Sequence, residues 1–102
     1  MNIHVVETND LKEFSIDGAR STPLLDAGKV RALLLNLEAG QSVASCQMSV
    51  TVLYYVVEGQ GHLRVGDEQS GLQAGSLVVV PAEAERSIAA DERMRVLAVQ
   101  VS

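Results

Sequence analysis

The segment Tyr55-Val56-Val57-Glu58-Gly59-Gln60-Gly61 decides the architecture, because it reads as a strand forced to reverse at a pair of glycines. Valine and tyrosine suit a pleated, half-buried surface. Gly59 and Gly61 offer the positive φ at which two strands can turn back. Upstream, the run Val43 to Val57 is dense in Val, Thr and Tyr but is fifteen residues long. Strands usually run about 5–6 residues, so a turn near Ser49 to Thr51 is expected to divide it.

Working outward from this hairpin, the rest of the chain is punctuated in the same way. His62 to Val65 reads as a strand, and Gly66-Asp67 is a second hairpin signal. Leu77 to Val80 is a fully apolar strand stopped by Pro81, which cannot donate to a ladder. Arg86 to Ala89 and Met94 to Val101 complete the C-terminal half, with an acidic stretch, Ala82 to Arg86, short enough for one helical turn. Toward the N-terminus, Val30 to Leu37 sets Arg31, Leu33, Leu35 and Leu37 on one face and Val30, Ala32, Leu34 and Asn36 on the other. Its leucines and alanine would also suit a helix. Leu24 and Leu25 follow Pro23, Asp17-Gly18 is a turn, and Lys12 to Ile16 and Ile3 to Val6 are expected strands. Many short strands separated by glycine and proline mean an all-β sandwich or barrel. The expected organisation is one domain, with residues 1–29 as an arm with edge strands and 30–102 as the barrel.

Composition narrows the function classes. At 102 residues, folding buries roughly 65% of the unfolded chain's surface, enough for one core. Phe14, Tyr54 and Tyr55 are the only aromatic residues, so the core is aliphatic and no stacking platform for bases is available. The formal charge is −5 and the basic residues are scattered singly, which argues against nucleic acid and against an anionic membrane surface. No run approaches the ~20 apolar residues that span a bilayer, and the N-terminus lacks a secretory pattern. A lone cysteine, Cys46, fits a reducing, cytoplasmic setting.

Two spacings sharpen the architecture. Gly40, five residues, Cys46, one residue, Met48, three residues, Val52, six residues and Gly59 form the first. Gly75, five residues, Pro81, four residues, Arg86, three residues and Ala90 form the second. They resemble the two cupin motifs, G-x5-H-x-H-x3-E-x6-G and G-x5-P-x-G-x2-H-x3-N. The hairpin at Tyr55 to Gly61 resembles that family's Y-V-L-E-G-x-G, and Leu72 to Pro81 its L-x-P-G-D-x-x-x-x-P. The resemblance covers about Val30 to Val101 and implies a double-stranded β-helix barrel, with residues before Val30 as a variable arm. Small members commonly dimerise through sheet edges or N-terminal arms, so a homodimer is implied too.

The resemblance fails at the chemistry. Metal-binding cupins use three histidines and a glutamate, and here those positions are Cys46, Met48, Val52 and Arg86. The chain's two histidines, His4 and His62, match no motif position. A guanidinium repels a dication, so no metal and no other cofactor is expected. In the second motif the glycine is replaced by Glu83 and the asparagine by Ala90.

The expected ligand-binding residues are Arg86, Cys46, Met48, Val52 and Tyr54. Arg86 could grip a carboxylate or phosphate in bidentate fashion. Alternatively it sits at the barrel mouth, paired with Glu83, Glu85 or Asp91. Cys46 reads as filler, ligand contact or nucleophile, and with Met48 it could offer two soft sulfurs to Cu(I), without a third donor. Tyr54 should share the direction of Val52 and Val56, whereas Tyr55 should face away, toward a sheet layer or a subunit interface. Three functions compete. One is a metal-free module for a small polar or anionic molecule. The others are a metal-independent isomerase or epimerase, which needs an acid–base pair, and a structural or regulatory domain with a vestigial pocket.

Overall fold

The computed structural model describes residues 5–102. Among them are a short 3-10 turn, Thr8–Asp10, and nine strands. These are β1 (Arg20–Asp26), β2 (Val30–Leu37), β3 (Ser42–Gln47), β4 (Thr51–Glu58), β5 (Gln60–Val65), β6 (Glu68–Gln73), β7 (Leu77–Val80), β8 (Glu85–Ala90) and β9 (Met94–Val101). One sheet has the order β1-β2-β9-β4-β7 and the other β3-β8-β5-β6, and every pairing is antiparallel. From β3 onward the chain crosses from one sheet to the other at every step except the β5–β6 hairpin, which is the winding of a double-stranded β-helix. The all-β expectation holds.

Alternation along each strand builds the core. Leu35, Leu37, Val52, Tyr54, Val56, Val80, Val96 and Ala98 from the larger sheet meet Leu63, Leu72, Ile88 and Ala90 from the smaller. Val30–Leu37 is a strand, not a helix, because its period-2 faces find ladder partners in β1 and β9. The long run from Val43 breaks at Met48–Val50, as its length required. Gly59 takes φ 90°. Gly61 is required for another reason: a Cβ there would lie 2.2 Å from the Ala89 carbonyl oxygen and 2.9 Å from the Met94 side chain. Close backbone approach, rather than positive φ, fixes that glycine.

Several sequence expectations need correction. Lys12–Ile16 is not a strand, apart from an isolated bridge between Ser15 and Gly18. Its carbonyls are satisfied from the side: Asn36 Nδ2 donates to Leu11 O (2.8 Å) and Glu13 O (3.0 Å), and Gln41 Nε2 to Ser15 O. Arg95 Nη2 likewise donates to Thr8 O. The segment is thus a strap across the outer face of the larger sheet, and it leaves Asn36, Arg95 and Leu34 buried. Val5 and Val6 are not in a strand, while Ile3 and His4 lie outside the described residues. Residues 82–83 form a turn rather than a helical one, and Glu83 there adopts φ 72°. β6 is a strand that the sequence did not announce, since only Leu72 of its six residues is buried.

Candidate functional site

Arg86 follows from the alternation of β8, whose Arg86, Ile88 and Ala90 all point inward and are buried. The guanidinium is only 2% exposed. Its Nε donates to Ala84 O (2.9 Å), Nη2 to Pro81 O (3.4 Å) and Nη1 to Tyr54 Oη (3.5 Å). Among the described residues no ion pair includes it. Of the three carboxylates expected as partners, Glu85 accepts from Ser45 Oγ at 2.6 Å, Asp91 pairs with His62 at 3.2 Å, and Glu83 contributes only backbone hydrogen bonds, none of them to Arg86. Arg86 is therefore a buried cation that leans on dipoles alone.

Tyr54 enters from the opposite sheet, on β4, with Val52 and Val56 facing the same way. Burial pushes its phenol up from the ordinary value, and the Arg86 hydrogen bond and charge oppose that rise without cancelling it. The Cys46 thiol, near enough to bear on the phenol, adds slightly to the rise. Cys46 itself stands directly across from Arg86 in the β3–β8 register, beyond an irregularity between Val43 and Cys46. Cross-strand partners share a face, so Cys46 points inward, yet on an edge strand it stays exposed.

The other two expected residues sit around this group. Val52 is buried in the core, across from Val80 and Gln100. Met48, between β3 and β4, packs partly against the core and lines a cavity of about 240 Å³ with Arg31, Ser49 and Gln100. Its carbonyl accepts from the Glu83 amide at 2.7 Å, which ties the β3–β4 turn to the turn before β8. The geometry thus brings Arg86, Tyr54 and Cys46 together, sets Val52 behind them and Met48 beside them. Arg31 and Gln100 were not singled out by the sequence. They share the inward row of Val52 and Val80, a placement legible only once the β2–β9–β4 register is known.

The family model that matches residues 34–100 is that of the cupin domain. The chain belongs to the cupin family. Among solved structures, a cupin superfamily protein from Desulfitobacterium hafniense is 23% identical, with 90% of this chain and 84% of that one covered and a TM-score of 0.84. A conserved protein with a double-stranded β-helix domain from Klebsiella pneumoniae reaches TM-score 0.90 at 13% identity, over 98% and 90% of the two chains. A predicted oxalate decarboxylase from Thermotoga maritima is 21% identical, over 81% and 79%, at TM-score 0.76. At these identities the likeness attests the fold. The comparison with curated proteins gives no match.

The cupin family brings the question of a metal, and the residues present do not fit one. Cys46, Met48, Val52 and Arg86 hold the four positions at which the motifs place three histidines and a glutamate. Among the described residues no three His, Cys, Asp or Glu side chains lie close enough to hold an ion. A buried guanidinium at one of those positions would oppose a dication directly.

Proposed function

We propose that this cupin is a metal-free binding module that holds a small anionic or polar-headed molecule at the barrel mouth, with Arg86 as its anchor. One observation carries the reading: a guanidinium 2% exposed whose partners are two carbonyls and a phenol, with no carboxylate. Burying a charge without a counter-charge costs several kcal/mol, so a buried Arg without a carboxylate suits a site that an anion completes. A carboxylate or phosphate would supply charge-assisted bonds to the guanidinium. Tyr54 Oη, held protonated, could donate to the same anion, and the exposed Cys46 marks the side from which solvent and ligand approach. A reducing, cytoplasmic setting belongs to the same reading.

A metal-independent isomerase has less support. A general acid must release its proton near the working pH, whereas burial holds the Tyr54 proton above its ordinary range. The test is a thermal-shift panel of simple mono- and dicarboxylates, phosphate and sugar phosphates. At least one class should raise the melting temperature, and the rise should vanish in Arg86→Met while surviving in Arg64→Met, an exposed arginine. No shift from any anion would leave the vestigial-pocket reading in its place. Elemental analysis should find no stoichiometric transition metal in purified protein, and one retained through mild chelation would sink the metal-free reading.

A further inference from the structure

The two sheets part between β6 and β7, each the outermost strand of its sheet and neither paired with the other. Their connecting turn closes one end, where Ser76 N donates to Gln73 O (2.9 Å) and Gln73 N to Ser76 Oγ (3.1 Å). Toward Pro81 and Glu68 the strands leave a cleft of about 600 Å³. That is more than twice the cavity beside Met48, and it falls within the roughly 300–1,000 Å³ of small-molecule sites. Alternation makes its wall aliphatic: Leu63 and Val65 of β5 and Val78 of β7 face inward from the two sides. Ser70 and Glu68, paired across β6 with Leu63 and Val65, share that inward face but stand exposed at the rim, beside Asp67 of the turn.

This cleft adjoins Arg86. Val65 is the cross-strand partner of Arg86, and Pro81, whose carbonyl accepts from Arg86 Nη2, lines the cleft as well. One inward row therefore runs Cys46–Arg86–Val65–Glu68, solvent-facing at Cys46 and opening into the cleft beyond Val65. From this placement we infer that the ligand is an aliphatic monocarboxylate, its head on Arg86 and its body laid across Val65 into the cleft. The inference rests on Arg86 being an anion anchor, as proposed above, and it narrows the anion to one class. The wall selects the body. Leu63, Val65 and Val78 offer no hydrogen-bonding side chain, so the hydroxyls of a sugar phosphate laid on them would lose water without a partner. The rim selects the charge. Among the described residues Asp67 and Glu68 have no ion pair, so their carboxylates repel a second anionic group at the far end of the ligand. The site thus takes one negative charge at its Arg86 end and none at the other.

Calorimetric titration of the full chain with acetate, butanoate, hexanoate and hexanedioate tests this. Affinity should rise about fourfold for each methylene buried, the ratio that ~0.8 kcal/mol per group sets. Hexanedioate, as long as hexanoate but charged at both ends, should bind roughly tenfold more weakly, and Glu68→Gln should narrow that gap. Ser70→Phe, at an exposed rim position, should fill the cleft and bring hexanoate down to the level of acetate. Equal affinity for acetate and hexanoate overturns the inference while leaving Arg86 as an anion anchor, and so does a chain-length gain that survives Ser70→Phe. Should Ser70→Phe fail to fold, the chain-length series and hexanedioate on the native chain decide alone. Two other outcomes, no carboxylate bound at any length or hexanoate bound equally by Arg86→Met, overturn the anion anchor itself and this inference with it.

Discussion

Arg86 on β8 and Tyr54 on β4 come from opposite sheets and meet inside the barrel, where Arg86 Nη1 lies 3.5 Å from Tyr54 Oη. That distance is long for a hydrogen bond, so charge and desolvation govern the pair more than directional bonding does. The cation favours a phenolate and burial disfavours it, and burial is the larger effect.

Tyr54 should therefore titrate above the ordinary phenol range near 10. A folded-state value above the unfolded one means that the native protein holds the proton more tightly. Its contribution to stability is complete below about pH 10 and is lost as pH rises through the raised value. In Tyr55→Phe, where Tyr54 is the sole remaining tyrosine, phenolate absorbance reads the midpoint directly. Adding Arg86→Met should raise it further, since burial remains and the opposing cation is gone. A midpoint at or below the ordinary value would contradict this account.

Glu83 is the one non-glycine residue with positive φ among those described, at 72°. The left-handed region costs an L-residue roughly 1–2 kcal/mol, while glycine loses roughly 0.5–1 kcal/mol more chain entropy on folding. Glu83→Gly should accordingly stabilise the protein by about 0.5–1 kcal/mol in urea unfolding. The Glu83 amide bond to Met48 O and the Gln47 bond to Glu83 O use backbone atoms, so both survive the change. A loss of stability would mean that the carboxylate has a role of its own.

Asn36 should prove to be the fastening of the N-terminal strap. It is fully buried and donates to two carbonyls, Leu11 O and Glu13 O. Asn36→Ala leaves both acceptors without that donor, a loss of about 1–3 kcal/mol. Limited proteolysis should then cut within residues 5–19 well before the barrel opens. Equal protease resistance in the two proteins would show that Arg95 and Gln41 hold the strap without it.

How far the sequence could be read follows from these residues. The β4–β5 hairpin was legible, because glycine geometry and motif spacing agree there, whereas the direction of Arg86 was open between barrel interior and barrel mouth until the β8 register placed it with Ile88 and Ala90. The strap was not. Its apolar residues look like strand residues, and what binds it is a pair of outward polar side chains, Asn36 and Arg95, that in an uncovered sheet would simply be solvated. β6 escaped because an edge strand needs only one buried residue, Leu72. Cys46 was legible only as sharing a face with Met48, and its exposure depends on β3 being an edge strand with an irregular register.

The ligand-free stability of Arg86→Met separates a site that an anion completes from a structural brace. Methionine is unbranched and adaptable, so it can follow the arginine stem among Val65, Tyr54 and Cys46, the neighbours across the register and the barrel. The substitution removes a buried charge that no carboxylate offsets, together with three hydrogen bonds. Two of these are long, 3.4 and 3.5 Å, and only the bond to Ala84 O, at 2.9 Å, has ordinary geometry. The carbonyls left behind at Ala84 and Pro81 lie beside partly buried or exposed residues, where water can replace the guanidinium. Even buried ion pairs are often replaced by well-packed apolar residues at no cost or with a gain of about 1–4 kcal/mol, and a charge without a counter-charge has less to lose, while one lost bond of ordinary geometry offsets about 1.5–3 kcal/mol of that. Arg86→Met should therefore be near neutral or more stable in urea without ligand, while losing any anion-induced stabilisation. A variant that unfolds, or that melts several kcal/mol earlier, would identify Arg86 as a structural brace between the turn at Pro81–Ala84 and Tyr54. The guanidinium would then be spoken for by the fold, and no anion would be needed to complete it.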